Sequence, residues 1–195
     1  VCTNRIFIHE KIHASFVEKF TAAMSELRIG LGMEDGVHIG PLIHKIAADK
    51  VRGLIQEAVS SGARVQGLAL PEGLPDNFVA PVILTDVTPD MRVINEEVFG
   101  PVAPIIQFSS EQEVIELAND TPFGLAAYIY CRDIGRVWRV SEALEFGMVG
   151  INVGIMANEM APFGGMKESG QGREGSKYGL DDYLEIKSLC MGGLA

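Results

Sequence analysis

From residue 102 to residue 153 the chain alternates between strand-type and helix-type patterning, and that alternation limits the folds open to it. Residues 102–108 are a short apolar strand-type run, and residues 111–118 carry helical spacing opened by Ser109 and Ser110 as N-cap candidates. Residues 126–130 read as a second strand, 134–144 as a helix and 148–153 as a third strand. Strands separated by helix-length connections pair in parallel, because a parallel neighbour is reached only through a crossover. The expected class is therefore α/β with a largely parallel sheet.

The upstream half extends the same alternation. Residues 5–9 read as a strand, and Ile12, Phe16, Phe20, Ala23, Met24 and Leu27 recur at helical spacing, giving a helix over 11–28. A glycine-punctuated loop over 30–41 leads to a helix over 43–61, with Ile46, Val51, Leu54, Ile55 and Val59 inward and Gly62 ending it. Residues 63–67 form a short strand and 70–77 a surface loop. A strand over 78–87 is interrupted by Pro81, which predicts an edge position or a bend there. Residues 183–191 alternate weakly and predict a terminal strand.

Composition removes several function classes. A net charge of -10 supplies no basic stripe for a nucleic acid or an anionic membrane surface. With 195 residues, 47% apolar, the chain buries roughly 70% of its unfolded surface and needs no staple. Cys2, Cys131 and Cys190 are odd in number and widely spaced, so no disulfide framework and no zinc site is expected. A reducing compartment, the cytoplasm, follows from the same cysteine usage. His9 and His13 are four apart, and a solvated pair is expected rather than a metal clip. No apolar run approaches the roughly 20 residues of a membrane span. The chain opens on Val-Cys-Thr-Asn-Arg with neither an initiator Met nor a signal-peptide pattern, which suggests a piece of something longer.

Three stretches invite chemistry. Residues 157–179 hold glycines at 164, 165, 170, 172, 175 and 179 beside Phe163, so the backbone there turns tightly and approaches something closely. Gly170-x-Gly172-x-x-Gly175 fits the dinucleotide fingerprint literally, but only 20 residues follow, too few for the βαβ unit it requires. The adjacent carboxylates Glu96 and Glu97 precede an aromatic and a Gly-Pro turn, and read either as a solvated strand end or as a recognition element. Phe163 read alone is a core phenylalanine. Cys2 is a candidate thiol nucleophile.

The run Pro-Phe-Gly-Gly-Met-Lys-Glu-Ser-Gly-Gln-Gly-Arg-Glu over residues 162–174 closely resembles the C-terminal signature loop of the aldehyde dehydrogenase superfamily. Asn-Glu-Glu-Val-Phe-Gly-Pro over residues 95–101 resembles its second signature. Residues 36–42, 118–127, 142–152 and 172–187 look most like succinate-semialdehyde dehydrogenases, with glutarate-semialdehyde dehydrogenases next. The resemblance implies the fold of that family's catalytic-domain half, partial over residues 1–179, with an oligomerisation segment over 180–195. It implies an NAD- or NADP-dependent enzyme oxidising a small aldehyde, succinic semialdehyde first, through a cysteine thiohemiacetal and hydride transfer. Glu97 would hydrogen-bond the nicotinamide ribose, Phe99 pack beside the nicotinamide and Phe163 form a wall of the substrate tunnel. Ala157 stands where many of those enzymes have a serine whose hydroxyl helps hold the distal carboxylate; the loop backbone remains as a donor. Asn152 matches a position supporting the glycine-rich loop, and Arg173 and Glu185 match a pair bracing a subunit interface. Residues 183–191 would join subunits into a homo-oligomer.

The nucleophile admits two alignments. In one, as in Gly-Gln-x-Cys-Val-Cys-x-Asn, it immediately precedes Val1 and Cys2 is its neighbour; in the other, as in betaine-aldehyde-type enzymes, Cys2 is the nucleophile. The cofactor domain and general base would lie upstream, leaving this chain inactive alone. Two other classes stand beside this one: a non-catalytic oligomerisation or interaction module of the same fold, and a thiol-dependent esterase using Cys2.

Overall fold

The strand and helix patterns fold into two compact units, one of residues 2–117 and one of residues from 118 onward together with Val1. The computed structural model describes residues 1–193. The first unit contains β1 (Ile6–His9), α1 (Glu10–Ser25), α2 (Lys45–Ser60), β2 (Arg64–Gly67), β3 (Val82–Thr85), α3 (Arg92–Asn95) and β4 (Val102–Phe108). Next, α4 (Glu111–Asn119) carries the chain into the second unit.

The sheet order is β1-β4-β3-β2. Strand β4 pairs in parallel with β1, from Ile6↔Ile105 to His9↔Phe108, and with β3, from Val82↔Val102 to Leu84↔Pro104. Only β2 runs antiparallel, against β3. The two faces of the sheet are covered by different helices. Val102 and Ile106 pack with Ala48, Val51, Leu54 and Ala58 of α2. Ile105 and Ile83 pack with Met24 of α1, with Phe16 and Phe20 alongside. Two-sided burial is what a parallel sheet requires.

Three sequence expectations are corrected. Of the edge position or bend expected at Pro81, the edge is excluded, because β3 lies between β4 and β2; the strand spans Val82–Thr85 rather than 78–87, and Pro81 stands just before its first paired residue, so the missing N–H falls outside the ladder. In α2 the buried stripe is Ala48, Val51, Leu54 and Ala58, whereas Ile46 is 76% exposed and Val59 40% exposed. Ile46 lies roughly 140° round the helix from Val51, on the outer side, and the two alanines allow the close approach to the sheet. Helix α1 ends at Ser25 rather than near residue 28, because Ile29 leaves it to bridge Ile39.

Gly62 ends α2 as expected. It takes φ +106°, its N–H donates to Val59 O (3.1 Å), and Ala63 N–H reaches back to Ala58 O (3.0 Å). This is a Schellman closure, which favours glycine. Ser110 Oγ accepts from Glu113 N–H (3.2 Å), while the Glu113 carboxylate accepts from Ser109 N–H (2.8 Å), a reciprocal cap at the start of α4.

In the second unit, β6 (Ala126–Ile129), α5 (Ile134–Ala143) and β7 (Met148–Ile151) form a βαβ unit whose strands pair in parallel, from Ala126↔Met148 to Ile129↔Ile151. The short β5 (Phe123–Gly124) pairs antiparallel with β8 (Met166–Lys167), and a 3-10 helix follows at Lys177–Tyr183. Among the described residues the terminal strand expected over 183–191 does not form, and no neighbouring strand supplies it a ladder. Tyr183 closes the 3-10 helix, and Leu184, Ile186, Leu189 and Met191 are exposed. The last two residues of the 180–195 segment lie outside the described residues.

The α2 correction is testable by urea unfolding. Leu54→Ala is expected to cost about 2–5 kcal/mol, and Ile46→Ala less than about 0.5 kcal/mol. Equal costs would restore the stripe expected from the sequence.

Candidate active site

The segment between α3 and β4 has to carry two side chains outward while burying the one between them. Glu97 is exposed and Phe99 is 75% exposed, whereas Val98 is 8% exposed and packs in the core. The segment starts extended at Glu96, at φ -109° and ψ 147°, where side chains alternate, and the Gly100 N–H donated to Val98 O (2.8 Å) turns the chain at Phe99.

Four contacts brace the segment. Asn4 Nδ2 donates to Glu96 O (3.0 Å), and Asn4 Oδ1 accepts from Val98 N–H (2.8 Å), so one carboxamide replaces a strand neighbour. Lys50 Nζ donates to Glu97 O (3.0 Å). Arg92 Nε donates to Glu96 Oε1 (2.6 Å) and its Nη1 to Glu57 Oε2 (2.7 Å). Finally, a Cβ at Gly100 would lie 2.8 Å from Val51 Cγ2, so the segment returns to β4 flush against α2. Cys2 is exposed and lies two residues before Asn4. Because β1 and β4 are parallel, the residues leading into both strands lie at the same end of the sheet.

The Glu96 carboxyl sits below its ordinary range, chiefly because Arg92 hydrogen-bonds the charged form and secondarily through the charges of Arg92 and Lys50. Its partners are half-exposed, so the ion pairs orient the segment more than they stabilise it.

The second unit carries the glycine-rich loop. Phe163, half-buried, pairs with Glu174 in both directions: its N–H donates to Glu174 O (2.8 Å) and Glu174 N–H to Phe163 O (2.7 Å). Arg173 Nη1 donates to the carbonyls of Gly165 and Gly172 (2.7 Å each). A Cβ at Gly147 would lie 2.0 Å from Gly164 O, and one at Gly164 2.6 Å from Gly172 O, so bare backbone is required on both sides. Gly170, Gly172 and Gly175 all have positive φ and lead into the short 3-10 helix at Lys177–Tyr183, but the strand ahead of them, β8, is two residues long and antiparallel, so no βαβ unit of the dinucleotide fingerprint forms here. Ala157 is exposed on the approach to this loop.

Asn152, at φ +54°, does not brace the glycine-rich loop through its side chain. Its Oδ1 accepts from Cys131 N–H (2.9 Å) and its Nδ2 donates to Cys131 O (2.8 Å), extending the β6–β7 ladder by one step. The candidate residues thus fall into two sets: Cys2, Glu97 and Phe99 in the first unit, and Ala157 and Phe163 in the second. Among the described residues no cluster of three His, Cys, Asp or Glu is placed to hold a metal ion. Sequence reasoning missed the brace of Asn4, Lys50 and Arg92; only the four-residue spacing of Arg92 and Glu96 signalled any of it.

This geometry is joined by direct similarity. The chain belongs to the aldehyde dehydrogenase family, whose family model matches residues 1–189. It is 56% identical to a 3-sulfolactaldehyde dehydrogenase of Pseudomonas putida over 194 residues, covering 100% of this chain and 40% of the relative. It is 54% identical to the NADP(+) succinate-semialdehyde dehydrogenase GabD of Escherichia coli, covering 98% of this chain and 40% of the relative. The crystal structure of a succinate-semialdehyde dehydrogenase from Burkholderia pseudomallei superposes with a TM-score of 0.94 at 55% identity, covering 98% of this chain and 40% of that one. The chain therefore spans about 40% of the length of the relatives it matches.

The Arg92–Glu96 pair fixes a pH dependence. A carboxyl whose folded-state pKa is depressed stabilises the fold above its unfolded pKa and loses that contribution as pH falls through the folded one. Native protein is expected to be more stable than Glu96→Gln at pH 7, with the difference vanishing below the ordinary glutamate range. A difference independent of pH in paired urea titrations would contradict the ion pair.

Proposed function

We propose that this chain is part of an NAD(P)-dependent semialdehyde dehydrogenase, contributing the cofactor-facing segment 96–99 and the substrate loop around Phe163. The observation that carries this reading is the outward presentation of Glu97 and Phe99 on a segment braced by Asn4, Lys50 and Arg92. The residues suit a nicotinamide nucleoside. A carboxylate accepts two hydrogen bonds from a ribose diol, and an exposed aromatic ring beside it offers a flat face to a heteroaromatic ring. When bound, the nicotinamide supplies the hydride acceptor for aldehyde oxidation.

Glu97 holds the ribose, Phe99 borders the nicotinamide, and Phe163 walls the aldehyde's approach. The nucleophilic thiol immediately precedes Val1, with Cys2 its neighbour. Both NAD and NADP fit what this chain contributes; the name of the Escherichia coli relative supports NADP. The relatives' names support a short aldehyde with an anionic group at its far end, sulfonate in one case and carboxylate in the other. Succinic semialdehyde is the first candidate, its carboxylate received by backbone N–H groups of the loop, since Ala157 brings no hydroxyl.

Residues 1–179 belong to the catalytic domain and 180–195 to an oligomerisation segment. The exposed apolar residues over 183–191 support strand addition to another copy, because an unpaired strand is completed most directly by a partner's sheet edge. Three unpaired cysteines suit the cytoplasm. No described helix is long and apolar enough to cross a membrane. Without the remaining length of its relatives, the chain alone is inactive.

The test is Glu97→Gln in the complete protein, with cofactor affinity measured by fluorescence titration and turnover measured on succinic semialdehyde. Cofactor binding is expected to weaken about 10- to 100-fold, the effect of a lost charge-assisted hydrogen bond. Unchanged affinity would remove Glu97 from the site.

A further inference from the structure

The Asn4 carboxamide ties the start of β1, two residues from Cys2, to the segment bearing Glu97 and Phe99. It does so through the backbone at both ends, with Nδ2 to Glu96 O at 3.0 Å and Oδ1 from Val98 N–H at 2.8 Å. Asn4 is half-buried, and the residue between its two anchors is Glu97. Hydride transfer requires the reacting atoms within about 3–3.5 Å, and a misplacement of about 1 Å costs about 100-fold.

We propose that Asn4 is a positioning residue for the dehydrogenase reaction: it sets the distance and angle between the thiol-bearing end of the chain and the cofactor-facing segment. The inference rests on the reading of Glu97 and Phe99 given above. Lys50 and Arg92 hold the same segment from α2 and α3, whereas Asn4 links it to the residues that precede β1. Replacing the carboxamide removes that link while leaving the packing of Val98 and Gly100 intact. Asn4 is therefore expected to act on the rate of the hydride step rather than on the reactivity of the thiol itself.

The experiment compares native enzyme, Asn4→Ala, Asn4→Asp and Glu97→Gln in the complete dehydrogenase. In the cofactor-free Asn4→Ala enzyme, hydrogen exchange at the Val98 amide is expected to rise at least about tenfold, because its acceptor is gone. In the same variant kcat is expected to fall at least about tenfold, with a larger isotope effect on a deuterated aldehyde, while alkylation of the nucleophilic thiol by iodoacetamide stays within about twofold. Asn4→Asp keeps the acceptor for Val98 N–H and loses the donor to Glu96 O; its kcat and isotope effect are expected to fall between those of the native and Ala enzymes. Should Asn4→Ala not fold, Asn4→Asp decides by the same measurements.

Native kcat and isotope effect in the folded variants, with Glu97→Gln impaired, would overturn the role of Asn4 and leave the dehydrogenase reading standing. A parallel loss of thiol alkylation and kcat would also overturn it, by making Asn4 a general structural residue. An unaffected Glu97→Gln enzyme would instead bring down the reading on which the inference rests.

Discussion

Strand β4 is hydrogen-bonded on both edges and apolar on both faces, and those two demands fix where everything else in the first unit can go. Ile105 and Ile106 are 1% and 4% exposed and point to opposite sides, so each face needs its own cover. Helix α1 supplies one and α2 the other. Parallel pairing of β4 with β1 brings the residues leading into both strands to the same end of the sheet. Asn4 and the 96–99 segment meet there because the topology brings them together, and the candidate site follows from the burial of β4.

The outward-facing residues depend on that anchoring. Glu97 and Phe99 stay outward only if the segment is held, and an isolated extended segment has no ladder to hold it. The structure uses side chains as substitute backbone. Asn4 spans residues 96 and 98; Asn152 pairs both polar groups of Cys131; Asn119 donates to Ala143 O (2.8 Å) and accepts from Glu145 N–H (2.9 Å). A carboxamide carries the donor and acceptor of a peptide group on a short arm, so it completes a ladder where the chain cannot. The glycines work by omission: at Gly147, Gly164 and Gly100 a neighbouring atom already stands where a Cβ would be.

Much of this was legible in the sequence. The switching of period from strand to helix gave the α/β class and the bounds of β4, and Gly62 marked the end of α2 through its positive φ. The clustering of glycines at 164–175 and the run Glu96–Pro101 mark, in the sequence alone, the two segments that carry the candidate residues. Other features were hidden for physical reasons. Ile46 fits an apolar pattern, yet burial is decided by which stripe faces the sheet, and the small Ala48 and Ala58 took it. Pro81 signals an interruption but not which side of it the ladder begins. The weak alternation over 183–191 is a strand pattern that meets no neighbouring strand among the described residues. Asn4 closes the family's run Gly-Gln-x-Cys-Val-Cys-x-Asn, but nothing in that run names its partners, which lie over ninety residues away in a pairing that the parallel topology creates.

The account stands or falls on whether segment 96–99 faces a bound nicotinamide nucleotide. The most direct measurement is a hydrogen-exchange footprint of the complete protein with and without saturating NADP. Slowed exchange across residues 96–99, with residues of α1 on the opposite face of the sheet unchanged, is the predicted result. Tight binding that leaves 96–99 exchanging at its free rate would contradict it.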